Sequence, residues 1–368
     1  MARATALQSP PPERALPEIE RYRDNWVRHL LGIAEDLDRR VVARLASEGG
    51  YEQLRASLGP FLSLVWREPR PLTELARQLS MSRQGCTKLL RVAEEAGYAE
   101  RVAGGPGERA QHVRLTPRGR QLVDDAVRMI LEAETTYAER IGETRLNRFR
   151  AAAAALFYGL DLDQKTDPSL GETARRSIGV LPVIAHCVEE ALRERTRARG
   201  HDVLQLSHAR VIAIVGTDGA RMSEISRSQG VSRQATSATV RSLEKLGYVR
   251  READADDARG VRVVLTTRGE TLVRDTLLAL DELEARFREI LGARRLGDLL
   301  RVAEDLHATL SAENLALDVA VADDARSSSA IGEQALRSVA TRLRRHLGGD
   351  ASSRLAALLL EAEELDPA

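Results

Sequence analysis

The stretch MSRQGCTKLLRVAEEAGYAER (81–101) returns, altered but in register, as VSRQATSATVRSLEKLGYVRR (231–251). Each copy opens on Ser-Arg-Gln, runs on with apolar residues at helical spacing and stops at Gly-Tyr. With the offset held at 150, residues 71–120 match 221–270 at 17 of 50 positions without a gap. Unrelated chains of average composition would share about 3. Beyond that core the apolar register persists: Leu31 with Leu181, Leu54 with Leu204, Leu156 with Leu306, Leu160 with Leu310. A period this long does not suit a solenoid, so each copy is expected to be a domain.

Working outward from the pair, the chain divides into five parts. Residues 1–18 are Pro-rich and polar and are expected to form a flexible tail. Residues 19–160 and 173–312 are the two repeat domains. Residues 161–172 (DLDQKTDPSLGE) are a linker with an Asp-Pro breaker, and 313–368 are a C-terminal linker and helical extension. In that extension RSSSAIG reads as a linker, with helical stretches at 332–346 and 352–364 that have no counterpart in the repeat.

Within each copy the periodicity predicts the same order of elements. Long helices over 20–48 (Trp26, Leu30, Ile33, Leu37, Val41, Leu45) and 174–198 come first. Shorter ones follow at 52–66 and 72–79, with partners at 204–215 and 222–229. Ser82 and Ser232 are suited to cap the next helix, which ends at Gly97 and Gly247. Two extended pieces around a turn follow, VAGGPGERAQHVRL and EADADDARGVRVVL. Thr116-Pro117 then places a cap before an N1 proline, and helix pairs at 117–140 and 144–160, and at 267–290 and 294–311, close the copies.

Two short helices joined by a turn and followed by a β-hairpin make a winged helix-turn-helix. The second helix of such a pair can enter the DNA major groove, with its first turn at the base edges. Both copies carry the necessary side chains. Ser82 and Ser232 can cap or donate to phosphate; Gln84 and Gln234 can pair with adenine; Arg83 and Arg233 can reach guanine or phosphate. Thr87, Lys88 and Arg91 in one copy, and Ser237 and Arg241 in the other, continue the same face. Leu89, Val92, Ala93 and Val240, Leu243, Leu246 form the opposite, apolar face.

The net charge is 0, which would argue against a nucleic-acid partner if charge were evenly spread. It is not. Residues 81–120 hold eight cations and four anions, and 231–270 hold eight and six, so the remainder of the chain sums to −6. Positive charge is concentrated on the proposed reading elements. Of the 55 cationic residues only three are lysine; base composition of the genome explains that bias, although arginine also suits phosphate.

The runs LTELARQLSMSRQ…GY…LTPRGR and MSEISRSQGVSRQATSATVRSLEKLGYVRREADADDARGVRVVLTTRGE resemble the winged-helix core of the MarR family of bacterial transcriptional regulators. The resemblance covers both copies and is stronger in the second. It implies a mainly α fold with small β-wings: two winged helix-turn-helix domains plus long dimerisation-type helices. It also implies that the chain, as a single-chain pseudo-dimer, binds double-stranded DNA and acts as a repressor in the cytoplasm. The family's wing arginine, which enters the minor groove, falls on Arg259 in the second copy and on Arg109 in the first. The second copy keeps Asp257 of the acidic-basic wing pattern but has Ala258 where an arginine is common. GGPGERA replaces the aspartates in the first. Differences at Gly85/Ala235, Cys86/Thr236, Lys88/Ala238 and Leu89/Thr239 predict an imperfect or asymmetric operator. A protein-interaction or architectural winged helix with weak or non-specific DNA binding is the alternative.

Relatives bind small aromatic or lipophilic effectors beside the dimerisation helices. Ten of the twelve aromatic residues lie at or before Tyr158, so Trp26, Tyr51, Phe61 and Trp66 are the candidate effector ligands, with core packing the simpler explanation for most of them. Cys86 and Cys187 cannot make a disulfide framework and are expected to be structural, although a first-helix cysteine senses oxidants in some relatives, which singles out Cys187. His186 has no partner at metal-ligand spacing. No signal peptide, 18-residue apolar run, nucleophile motif or phosphate loop is present, and the Gly cluster at 104–107 reads as a turn. No enzyme activity, cofactor or metal is expected.

Overall fold

The computed structural model describes residues 16–54, 58–79, 81–104, 111–162, 177–202, 204–229, 231–254 and 257–326. The expected helices at 332–346 and 352–364, most of the tail and nearly all of the 161–172 linker lie outside the described residues. Chain order runs α1 (Leu16–Arg23), α2 (Trp26–Gly49), α3 (Leu58–Leu64), β1 (Arg70–Pro71), α4 (Leu72–Gln78), α5 (Arg83–Glu95), β2 (Ala99–Ala103), β3 (Gln111–Leu115), α6 (Pro117–Ile141) and α7 (Glu143–Gly159). It continues through a 3₁₀ turn (Ile178–Val180), α8 (Leu181–Ala198), α9 (Leu206–Val215), β4 (Ala220–Arg221) and α10 (Met222–Gln229). Last come α11 (Arg233–Lys245), β5 (Val249–Asp254), β6 (Asp257–Leu265) and α12 (Thr267–Arg326).

The fold is mainly helical, with two small antiparallel sheets ordered β1-β3-β2 and β4-β6-β5. Their hairpins share a register: Ala99 pairs with Leu115 and Arg101 with Val113, as Val249 pairs with Leu265 and Arg251 with Val263. Each hairpin returns into a helix capped by threonine. Thr116 Oγ1 accepts from Gly119 N at 3.0 Å and donates to Gly97 O at 2.6 Å; Thr266 does the same with Gly269 and Gly247, at 3.1 and 2.6 Å. Gly119 and Gly269 lie so close to the preceding turn that a Cβ would stand 1.9 Å from Tyr98 O and 2.2 Å from Tyr248 O. The Thr-x-Arg-Gly frame is therefore a packing requirement of the wing-to-helix corner.

The described residues gather into two compact units. One contains α1, Thr196–Leu278 and Leu310–Arg326; the other contains Asp24–Arg195 and Ala279–Thr309. This partition differs from the 19–160 and 173–312 division expected from the repeat. The reason lies in the second unit, where apolar helix faces from both copies bury one another. Trp26 packs on Phe287 with ring centroids 5.1 Å apart. A Cβ on Gly32 would strike His307, and one on Gly159 would strike Ile290. Asp36, buried on α2, accepts Arg40 Nε at 2.6 Å and Tyr137 OH from α6 at 2.8 Å, and also pairs with Arg39. Burial pushes its carboxyl up, but the hydrogen bonds from Arg40 and Tyr137 and the two arginine charges outweigh that and hold it below its ordinary value.

In the first unit α1 lies against α9, burying Ile19 and Tyr22. Arg23 Nε donates to Ala213 O at 2.5 Å, capping the last turn of α9. The single helix expected over 20–48 is thus two. Asn25 interrupts it, its side chain accepting from Arg28 N at 3.2 Å as the N-cap of α2. The helix expected over 52–66 is confined, in the described residues, to Leu58–Leu64. The two-residue strands β1 and β4 were not anticipated. The expected pair 267–290 and 294–311 forms one long run broken at Gly292, whose φ of 73° is non-helical.

Candidate nucleic-acid interface

Both proposed recognition helices begin as anticipated. Ser82 Oγ accepts from Gly85 N at 3.0 Å on α5, and Ser232 Oγ accepts from Ala235 N at 3.2 Å on α11. An N-cap of this kind is worth about 1 kcal/mol. The inner face of α5 is Cys86, Leu89, Leu90 and Ala93, and that of α11 is Thr236, Val240 and Leu243. Burying these residues forces the opposite face outward. Ser82, Arg83, Gln84, Lys88 and Arg91 are exposed, as are Ser232, Arg233, Gln234 and Arg241, while Thr87 and Ser237 are half-buried.

The exposed residues differ in how they are engaged. Within the described residues, the side chains of Arg83, Gln84, Lys88, Arg233 and Gln234 make no hydrogen bond or ion pair. Arg91 pairs with Glu95 at 3.0 Å on the same helix, and Arg241 Nε turns back to Ser237 O at 3.2 Å. Thr87 Oγ1 donates to Arg83 O at 2.8 Å. The first turn of each helix, with Lys88 one turn along α5, is therefore ready to take an external partner, whereas Arg91 and Arg241 would first have to leave an internal one.

A repeated ion pair ties each helix end to its wing: Arg101 Nε to Glu94 at 3.0 Å, and Arg251 Nε to Glu244 at 3.1 Å. Sequence reading missed a second repeated device immediately behind the helices. Tyr98 OH accepts Glu52 N at 2.9 Å and donates to Glu52 O at 2.8 Å, and Tyr248 OH accepts Asp202 N at 2.9 Å. Arg118 lies 5.7 Å over the Tyr98 ring and Arg268 4.8 Å over that of Tyr248. The signal that could have found these groups was their identity at the 150-residue offset.

Arg109 lies outside the described residues. Arg259 stands within β6, the return strand of the second hairpin. Cys86 points into the protein, and burial raises its thiol pKa, which leaves it poorly suited to react.

Of the four aromatic effector candidates, Trp26 and Tyr51 do not share one place. Trp26 opens α2 and Tyr51 follows its far end. A helix of 24 residues at 1.5 Å each separates them by about 36 Å, too far to line one small-molecule pocket. Tyr51 packs edge-on against Tyr98 and donates to Asp125 at 2.8 Å. Phe61 is fully buried on α3, and Trp66 is half-buried just beyond that helix. A cavity of about 320 Å³ opens elsewhere, lined by charged side chains including Arg145, Arg148, Arg301 and Asp298, and by none of these aromatics.

These elements define the class: winged helix-turn-helix. A protein-family model described as MarR family matches residues 204–260, from just before α9 into the second wing. Solved structures with likeness to the chain include the DNA complex of Staphylococcus aureus MepR, with 21% identity over 28% of this chain and 85% of that one, TM-score 0.25. They also include the transcriptional regulator Tm0710 of Thermotoga maritima (22%, 36% and 93%, TM-score 0.29) and YusO of Bacillus subtilis (17%, 38% and 96%, TM-score 0.31). No curated protein matches. Among the described residues no helix is long and apolar enough to cross a membrane.

Proposed function

We propose that the chain is a sequence-specific DNA-binding transcriptional regulator, a repressor, that supplies two reading heads from one polypeptide. The observation that carries this is the pair of helix first turns, each capped by its serine above a buried apolar face, in which Arg83, Gln84, Arg233 and Gln234 are exposed and make no side-chain bond among the described residues. Glutamine and arginine at the start of such a helix suit adenine and guanine edges, and the local positive charge suits the phosphates. The family-model match at 204–260 supports the same function for the second head.

As a single-chain pseudo-dimer the protein would set its two heads in successive major grooves of an asymmetric operator. Wing arginines Arg109 and Arg259 would take the adjacent minor groove. Small aromatic or lipophilic effectors would act by favouring a spacing of the heads that does not fit DNA. The test is binding of labelled genomic fragments in excess competitor DNA over a salt series. A specific complex whose affinity falls steeply with salt is expected. Equal affinity for all fragments would favour an architectural role instead.

A further inference from the structure

Of the 17 positions that are identical in the two copies, most hold the fold together. Ser82 and Thr116 cap helices and Glu94 pairs with Arg101, each with its counterpart 150 residues on. Among the described residues, three identical polar pairs are exposed and unengaged in both copies. Two of them, Arg83 with Arg233 and Gln84 with Gln234, belong to the recognition helices. The third, Arg77 with Arg227, does not.

Arg77 lies on α4 and Arg227 on α10, the helix before each recognition helix. Leu75 and Ala76 on α4, and Ile225 on α10, face the core. Four residues before each arginine, on the same helix face, stands a hydroxyl: Thr73, which is exposed, and Ser223, which is half-buried. Within the described residues neither hydroxyl and neither guanidinium has a hydrogen-bond or ion-pair partner. The turn that follows folds back on this helix. Met81 N donates to Ala76 O at 2.9 Å and Val231 N to Ser226 O at 3.4 Å, while Ser226 Oγ donates to Val231 O at 2.9 Å. The residue before each serine cap is thus fastened to the residue before each arginine.

A guanidinium without a carboxylate partner offers a fork of donors that matches phosphate oxygens, and hydroxyls are common phosphate donors beside it. In a helix-turn-helix the first helix crosses the sugar-phosphate backbone while the second reaches the bases. We propose that Thr73 with Arg77, and Ser223 with Arg227, each grip a backbone phosphate and so set the register of the recognition helix on the duplex. The grip is common to both heads and indifferent to base sequence. The reading face beside it has diverged, with Lys88 in α5 where α11 has Ala238. This inference rests on the DNA binding proposed above.

The test measures affinity of the full chain, by fluorescence anisotropy over a salt series, for a fragment it selects from genomic DNA and for a shuffled duplex of equal length. Arg77→Ala and Arg227→Ala should each lower affinity for both duplexes about fivefold at about 0.15 M salt, the counterion release of one phosphate, and each should reduce the salt slope by about 0.9. Arg77→Lys and Arg227→Lys should restore the slope, because the charge is kept, which separates a lost charge from a lost fold. Gln84→Ala, by contrast, should weaken binding to the selected fragment alone and leave the slope unchanged. An unchanged slope in either arginine-to-alanine variant, or a loss confined to the selected fragment, would overturn the proposal. If the chain prefers no fragment and both alanine variants still reduce the slope, the grip stands and sequence-specific reading falls. If the chain binds neither duplex, both fall.

Discussion

Gln84 and Gln234 occupy equivalent, exposed first-turn positions, yet their neighbours differ. Lys88 adds a cation one turn along α5 where α11 has Ala238, and Gly85 thins the helix surface where α11 has Ala235. A Cβ on Gly85 would stand 3.2 Å from Ser82 Oγ, so the first helix has room for little more than the alanine found in the second. The two half-sites are accordingly expected to differ. At the wings, Arg259→Ala should cost more affinity than Arg109→Ala, because the first copy's wing departs from the acidic-basic pattern. Quantitative binding to one operator fragment checks this; a contact of that kind is worth about 1–3 kcal/mol. Equal losses would mean the GGPGERA wing is equally competent. Cys86 shows how much side-chain direction matters at this scale. Its sequence position on the recognition helix allows a surface thiol, but helical phase places it with Leu89, Leu90 and Ala93 in the core.

The elements that were legible in the sequence are those whose signals are local. Ser82, Ser232 and Thr116-Pro117 mark helix starts because their side chains bond to the backbone three residues on. Gly97 and Gly247 mark stops because only glycine takes φ of 73° and 78° at no cost. The break at Asn25 was hidden because apolar periodicity carries straight through it, and the docking of α1 on α9 involves residues 190 apart. Residues so distant leave no periodic trace. Two predictions belong here. Gly119→Ala should destabilise the first winged region by about 3 kcal/mol or more, because its Cβ would overlap a backbone carbonyl that cannot move aside. Urea unfolding monitored at the wing checks it. Asp38 on α2 is pushed up to about 6, first by burial and then by Glu35. Its protonated form is thus favoured in the folded state, and the penalty for ionising it grows as pH rises from about 4 to 6 and is complete above that. Asp38→Asn should stabilise the protein by about 1–2 kcal/mol at pH 7.5, after allowance for solvent screening, and by nothing at pH 3. Thermal melts at the two pH values decide between this and a purely steric effect.

For the whole molecule, the repeat shows in the matching sheets, corners and tyrosine anchors, while the compact units follow packing across the copies rather than sequence order. The 150-residue offset made the two serine-capped helices, α5 and α11, and the wing framework visible in advance. It could not show that helices of both copies share one core, because Trp26 on Phe287 and Gly32 on His307 pair residues that are not equivalent in the repeat. Nor could it show that Trp26 and Tyr51 stand at opposite ends of α2, which follows from the unbroken length of that helix. On the proposed function, a single chain with two unlike heads has a freedom that two identical chains lack: each head can change its base preference and its wing independently. The most direct measurement is hydroxyl-radical footprinting of the complex on a selected genomic fragment, with the number of bound chains counted by native mass spectrometry. One chain per site and two protected patches about one helical turn apart are expected, with Gln84→Ala weakening one patch and Gln234→Ala the other. Two chains per site, or a single patch insensitive to one of the two substitutions, would contradict it.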